Sequence, residues 1–217
     1  MFEEVKKVFF YVEKVLTGTI GDGVSYKEQK KRTQKGKDLE EAIERIATQE
    51  GYKVVRNMYI PYGNEGKTTE IDLALIGSRG LIIVEAKNYT GSITGSVQEQ
   101  IWDVVYPSGK EYTLYNPVRQ NNSHISTLQK HINQDMYSIV VFSDKATLNI
   151  RGVGNTAIIN LRDLSSTLRA ANDNLSKGTV KKIHKKLCSF VTYNPITKIN
   201  HKRDVVKKRK RPGDRRL

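Results

Sequence analysis

The chain has 217 residues, a formal net charge of +14, 37% hydrophobic and 28% charged residues, and one cysteine. That length buries a sizeable core and suits one domain with appendages, while the charge points to polyanionic partners. No run approaches the about 18 apolar residues of a membrane-spanning helix, and a single cysteine, Cys188, excludes an internal disulfide or a cysteine-cluster zinc site.

Residues 1–16 (MFEEVKKVFFYVEKVL) place Phe2, Val5, Val8, Phe9, Val12, Val15 and Leu16 at helical spacing. The segment is expected to be an amphipathic helix that self-associates or docks on a partner, and its interspersed acids and lysines do not read as a secretory signal. Residues 17–35, with Gly18, Gly21 and Gly23 followed by SYKEQKKRTQK, read as a linker. A helix is expected over 37–50, with Leu39, Ala42, Ile43, Ile46 and Ala47 on one face, then a strand over 52–60 and a loop, PYGNEGKT.

TEIDLALIGSRGLIIVEAK (69–87) reads as two apolar strands joined by a glycine-flanked turn, and IWDVVY and EYTLY around PSGK as a second hairpin. Asn116-Pro117 is a helix start, with Asn as N-cap and Pro at the first position, and Val118, Ile125, Leu128 and Ile132 continue an apolar stripe behind it. Uncharged YSIVVF (137–142) predicts a central strand, and AIINL another. DLSSTLRAAN and TVKKIHKKLCSF predict two further helices. The order makes one mixed-sheet α/β domain.

The charge is unevenly spread. Residues 198–217 hold ten Lys or Arg against Asp204 and Asp214, leaving +6 for the remainder. A solvated basic tail is one reading. Phosphate neutralisation through Lys207, Lys208, Arg209, Lys210 and Arg211 is the other. The single cysteine fits a reducing compartment and a cytoplasmic protein, nucleoid-associated through its charge, or nuclear through VKKRKRP in a eukaryotic cell.

Carboxylates inside an apolar hairpin are costly unless compensated. A turn centred on Ser78-Arg79 sets Asp72 opposite Glu85 and Glu70 opposite Lys87, with Glu85 and Lys87 on one face. Facing carboxylates need a cation between them, or one keeps its proton. Such an oxygen site suits Mg²⁺ or Mn²⁺, with a lysine beside it to position or deprotonate a water. By itself, Glu-x-Lys, a common triplet, reads first as a salt bridge at a sheet rim.

An acid in one strand followed by Glu-x-Lys in the next resembles the PD-(D/E)xK nuclease superfamily. Residues 36–142 more narrowly resemble the nuclease-related, or NERD, domain. The likeness rests on Gly36 and Glu40, TEIDLALIGSRGLIIVEAKNYTGSITG, Trp102, NPVRQNNSHISTL and the strand ending at Phe142. It implies a restriction-endonuclease-like core and metal-dependent DNA cleavage, with RNA as the other substrate class. In that likeness Asp72 and Glu85 are metal ligands, Lys87 serves the attacking water, Glu40 is a further ligand directly or through water, and Gln120 organises the site. His124, on the same helical face as Gln120, is a phosphate contact or a packing residue. Ile71 departs from the nominal proline of the motif, and Leu39 from a glycine before the helix glutamate. The expected division is 1–35 amphipathic helix and linker, 36–192 nuclease domain, and 193–217 basic, disordered tail. The rival reading is a catalytically weak nucleic-acid-binding or assembly module on the same fold.

Overall fold

The computed structural model describes residues 26–63, 67–170 and 172–191. The segment 1–16 and the basic residues Lys207–Arg211 lie outside the described residues. Helix α1 (Tyr26–Gln49) leads into β1 (Lys53–Tyr62), β2 (Lys67–Gly77) and β3 (Gly80–Lys87). Strands β4 (Gly91–Ser96), β5 (Ile101–Val105) and β6 (Glu111–Tyr115) precede α2 (Pro117–Gln129), β7 (Met136–Phe142), β8 (Ala146–Arg151) and β9 (Thr156–Asn160). A 3-10 turn (Leu161–Asp163), α3 (Leu164–Arg169) and α4 (Lys177–Cys188) follow.

Two mixed sheets result. One has five strands in the order β1-β2-β3-β7-β9, with the β1–β2 and β2–β3 pairs antiparallel and the rest parallel. The other has the order β6-β5-β4-β8, with only β4–β8 parallel. Because β3 and β7 run parallel, the chain between them must cross over, and α2 completes that crossover.

The large sheet is covered on both faces, which is why its inner strands are apolar runs. Ile125, Leu128 and Ile132 behind α2, with Ile183 and Leu187 of α4, pack on Ala74, Ile76, Leu81 and Ile83. Leu39, Ile43 and Ala47 of α1, with Leu164 and Leu168 of α3, pack on Leu73, Leu75, Ile82 and Val84. Trp102 is completely buried in a third cluster, stacked at 6.4 Å from Phe142. A side chain at Gly95 would meet the Trp102 ring at 2.3 Å, so only glycine serves there.

One expectation is corrected and two strands are added. The expected linker is helical from Tyr26, because YKEQKKRTQK is made of residues that favour helix, and Gly36 costs such a helix only about 1 kcal/mol. Residues 91–96 and 146–151, where no element was expected from sequence, form β4 and β8, which pair with each other, β4 pairing also with β5. Ala146, Leu148 and Ile150 alternate with polar residues along β8.

One irregularity crosses β1 and β2. Their ladder includes Arg56↔Leu73 and Met58↔Ile71 but skips Asn57 and Asp72. Asn57 has φ 54°, in the left-handed region. Alternation slips at that step in both strands: Val55 and Met58, three apart, face the same cluster, as do Ile71 and Ala74.

Candidate active site

The β2–β3 register runs from Gly77↔Gly80 to Leu73↔Val84, as the Ser78-Arg79 turn requires, and stops there. Beyond it the strands part. The Asp72 carboxylate takes the place of a ladder acceptor, with Oδ2 receiving the Ala86 amide at 2.9 Å. Glu70 does not face Lys87 as an ideal hairpin predicts. It stays paired with Tyr59 of β1, whose hydroxyl donates to Glu70 Oε1 at 2.7 Å.

Glu85, 1% exposed, lies at the centre. Lys87 Nζ donates to Glu85 Oε1 at 2.5 Å and to Gln120 Oε1 at 3.1 Å. His124 Nε2 stands 3.3 Å from Glu85 Oε2, while its Nδ1 is 2.8 Å from the Thr69 hydroxyl. Neither Glu85 Oε2 nor His124 Nε2 completes a hydrogen bond. Asp72, Glu85, Lys87, Gln120 and His124 are thus gathered where β2 and β3 separate beneath α2.

Helix α2 is aimed by asparagines. Asn116 caps it by accepting from the Val118 amide at 2.9 Å, and its Nδ2 donates to the Glu99 carbonyl at 2.6 Å. Asn121, buried within the apolar stripe, donates to the Ile83 carbonyl at 3.0 Å and the Ser138 hydroxyl at 2.9 Å, tying α2 to β3 and β7. Gln120 and His124 flank it in sequence. Asn121 and Thr69 were not among the sequence candidates. A polar residue interrupting the stripe of Val118, Ile125 and Leu128 was the signal for the former, and nothing in the sequence signals Thr69.

The electrostatics divide the two strand acids. Burial raises the Asp72 carboxyl well above the usual range, and the Glu85 charge adds to that. Burial alone would also raise Glu85, but Lys87 and His124 outweigh it and hold Glu85 below its ordinary value. Burial works against the Lys87 ammonium too, yet Glu85 and Asp72 raise its pKa overall. Glu40, half-buried on α1, has a raised carboxyl, chiefly through burial, with Glu70 adding to the rise and Arg56 opposing it. Its charge also bears on Asp72.

Among the described residues no group of three His, Cys, Asp or Glu is arranged to hold a metal. Two carboxylates remain, one with an oxygen that lacks a hydrogen-bond donor. That set fits a hard cation which keeps several waters and takes further oxygens from a phosphate.

Residues 32–143 match the family model of the nuclease-related domain (NERD). The chain belongs to the NERD family. The family falls within the PD-(D/E)xK-like nucleases, and the two mixed sheets flanked by helices form a restriction-endonuclease-like fold. The NERD match spans Glu40, Asp72, Glu85, Lys87, Gln120 and His124, and ends before β8. An uncharacterized protein of Bacillus anthracis is 33% identical over 119 residues, which are 52% of this chain and 55% of that protein. The chain therefore spans about half the length of the curated relative it matches. A crystal structure of a protein of unknown function aligns over 78% of this chain and 96% of its own, at 9% identity and a TM-score of 0.37.

Proposed function

We propose that this NERD protein is a metal-dependent nuclease that hydrolyses phosphodiester bonds of DNA at the β2–β3 junction. The observation that carries the reading is the pair Asp72 and Glu85, two strand acids at one junction with Lys87 bonded to Glu85 and Glu85 Oε2 unsatisfied. Asp72 and Glu85 would hold Mg²⁺ or Mn²⁺. When bound, such a cation supplies charge stabilisation at the phosphoryl group. Glu85 and Asp72 favour the Lys87 ammonium against its burial, and it donates to Glu85 and Gln120. Held by Glu85 and Gln120, it orients a water toward phosphorus and steadies charge developing on the phosphate. Gln120 fixes the Lys87 head, His124 stands 3.3 Å from the second Glu85 oxygen without bonding it and so leaves it open to a cation, and Glu40 adds negative charge that favours one. The basic tail adds phosphate affinity. A cytoplasmic site of action accords with this chemistry.

A binding or assembly module on the same fold is the second reading. It is favoured by one feature, that Lys87 and His124 already compensate Glu85 without a cation.

Cleavage of supercoiled and linear single-stranded DNA with Mg²⁺ or Mn²⁺, in wild type, Asp72→Ala and Lys87→Ala, decides between them. Metal-dependent cutting abolished in both variants supports the nuclease. DNA binding without cutting under any divalent cation supports the module. Cutting that survives both substitutions overturns the placement of the site.

A further inference from the structure

Helix α4 carries Lys177, Lys181, Lys182, Lys185 and Lys186 and not one acid. Ile183 and Leu187 face the core, and all five lysines are exposed. Lys177/Lys181, Lys181/Lys185 and Lys182/Lys186 are like charges four residues apart, an arrangement that destabilises a helix. Several cations elsewhere on the described surface have acids beside them: Arg56 with Glu44, Arg79 with Asp173, Arg151 with Glu99 and Arg169 with Glu50. Among the described residues, no carboxylate lies within salt-bridge distance of the α4 lysines. Lys53 of β1 extends the patch: burial first, and then the Lys53 charge, depress the His184 pKa.

The helix also points its end toward the site strands. Its C-terminal continuation bridges β1 through Met58↔Val191, and the Tyr59 amide donates to the Phe190 carbonyl at 3.0 Å. Tyr59 in turn holds Glu70, two residues before Asp72. In sequence, ten further Lys or Arg follow within 198–217.

We propose that the lysine face of α4 is the seat of duplex DNA flanking the bond to be cut, gripping backbone phosphates without reading bases. The proposal rests on the nuclease reading for its substrate, but the surface stands on its own charges. A 12-residue helix is about 18 Å long, and duplex DNA carries one negative charge per roughly 1.7 Å of axis over both strands, so the stretch alongside α4 carries about ten phosphate charges, of which the five lysines meet those on the near side. Lysine ammoniums are point charges without the forked geometry that reads guanine. An anionic membrane is disfavoured because the apolar side of α4 is spent on the core, leaving no face to enter a bilayer.

The test is fluorescence anisotropy of full-length protein on a labelled duplex in EDTA, from low to moderate salt. Lys181, Lys182, Lys185 and Lys186 are changed together to Gln in one variant and to Arg in another. The Gln variant, melting like wild type, is expected to bind more weakly on every sequence. Its slope of log affinity against log salt should be shallower by about 3 to 4, since each phosphate that is no longer neutralised removes about 0.9. The Arg variant should keep the wild-type slope. An unchanged slope in the Gln variant overturns the proposal. So does a loss of binding to phosphatidylserine vesicles alongside intact DNA binding. Because EDTA removes cleavage, the two readings separate. Protein that never cuts but shows the α4-dependent slope keeps this surface and loses the nuclease, whereas cutting with an α4-independent slope does the reverse.

Discussion

Asn57 stands across the β1–β2 register from Asp72, and among the described residues it is the one non-glycine with a left-handed backbone, φ 54°. The ladder is intact on either side and skips this pair, and both strands change alternation there. Asparagine tolerates that conformation better than most residues, and strain of this kind concentrates at functional sites. The slip leaves Asp72 out of the ladder, with its carboxylate on the Ala86 amide of β3.

Glycine at 57 keeps the conformation, whereas valine resists it. Asn57→Gly is expected to retain the Ala86 amide shift and its slow hydrogen exchange. Asn57→Val should move that resonance and speed its exchange as Asp72 turns away. Cleavage should follow the same order. The NMR measurement needs neither metal nor DNA. Equal behaviour of the Gly and Val variants would show that the asparagine side chain, not the backbone, matters.

Lys87 balances the Glu85 charge and, in the proposed mechanism, serves the attacking water, and the two roles separate by experiment. Removing one partner of a buried ion pair strands the other charge, at a cost of about 3–5 kcal/mol. His124 remains beside Glu85, so Lys87→Ala should lose about 3 kcal/mol, measured by urea unfolding. Mn²⁺ at millimolar concentration is expected to recover part of that stability by supplying positive charge at Glu85, while cleavage stays absent. Recovery of cleavage with stability would remove Lys87 from the chemistry.

The hairpin was legible because its turn is flanked by Gly77 and Gly80 and its strands are continuous apolar runs, so the pairing from Leu73 to Val84 follows from local pattern alone. The fate of Glu70 was not, since an isolated hairpin carries no information about β1, and Tyr59 takes that carboxylate away from Lys87. Asn116-Pro117 announced α2 through capping chemistry that is local. Strand β4 is held by pairing with β5 and β8 rather than by its own pattern, and Gly95, which looks like a strand breaker, is required by the Trp102 ring. Of the candidate site, Asp72, Glu85 and Lys87 were readable from the hairpin, Asn121 left only the trace of a polar residue in an apolar stripe, and Thr69 left none. Aiming depends on which helix lies over which strand.

Asn121 offers a test of that aiming. Its amide satisfies Ile83 and Ser138 inside the sheet–helix interface, and leaving such groups unpaired costs about 1–3 kcal/mol. Asn121→Ala should lower the melting temperature by roughly 4–8 °C, taking about 2 kcal/mol and the scale of a domain this size. Because Gln120 and His124 are its neighbours, kcat for cleavage should fall more than KM rises. A stability loss with unchanged kcat would confine Asn121 to packing.

The contact of α3 with the turn after α1 provides a pH signature away from the site. Glu50 accepts from Arg169 Nε at 2.8 Å, from Arg169 Nη2 at 2.7 Å and from the Ser165 hydroxyl at 2.7 Å. The Arg169 bond, then the Ser165 bond, lower its pKa from 4.5 to about 2. A carboxyl depressed on folding contributes stability that is fully present above the unfolded pKa and is lost as pH falls through the folded one. Wild type should therefore exceed Arg169→Ala in melting temperature by a constant margin above about pH 5, and that margin should shrink between pH 4.5 and about 2. Calorimetry of both proteins across that range checks it. A margin that stays level down to about pH 2 would mean that Arg169 acts through packing on Glu50 and not through its charge.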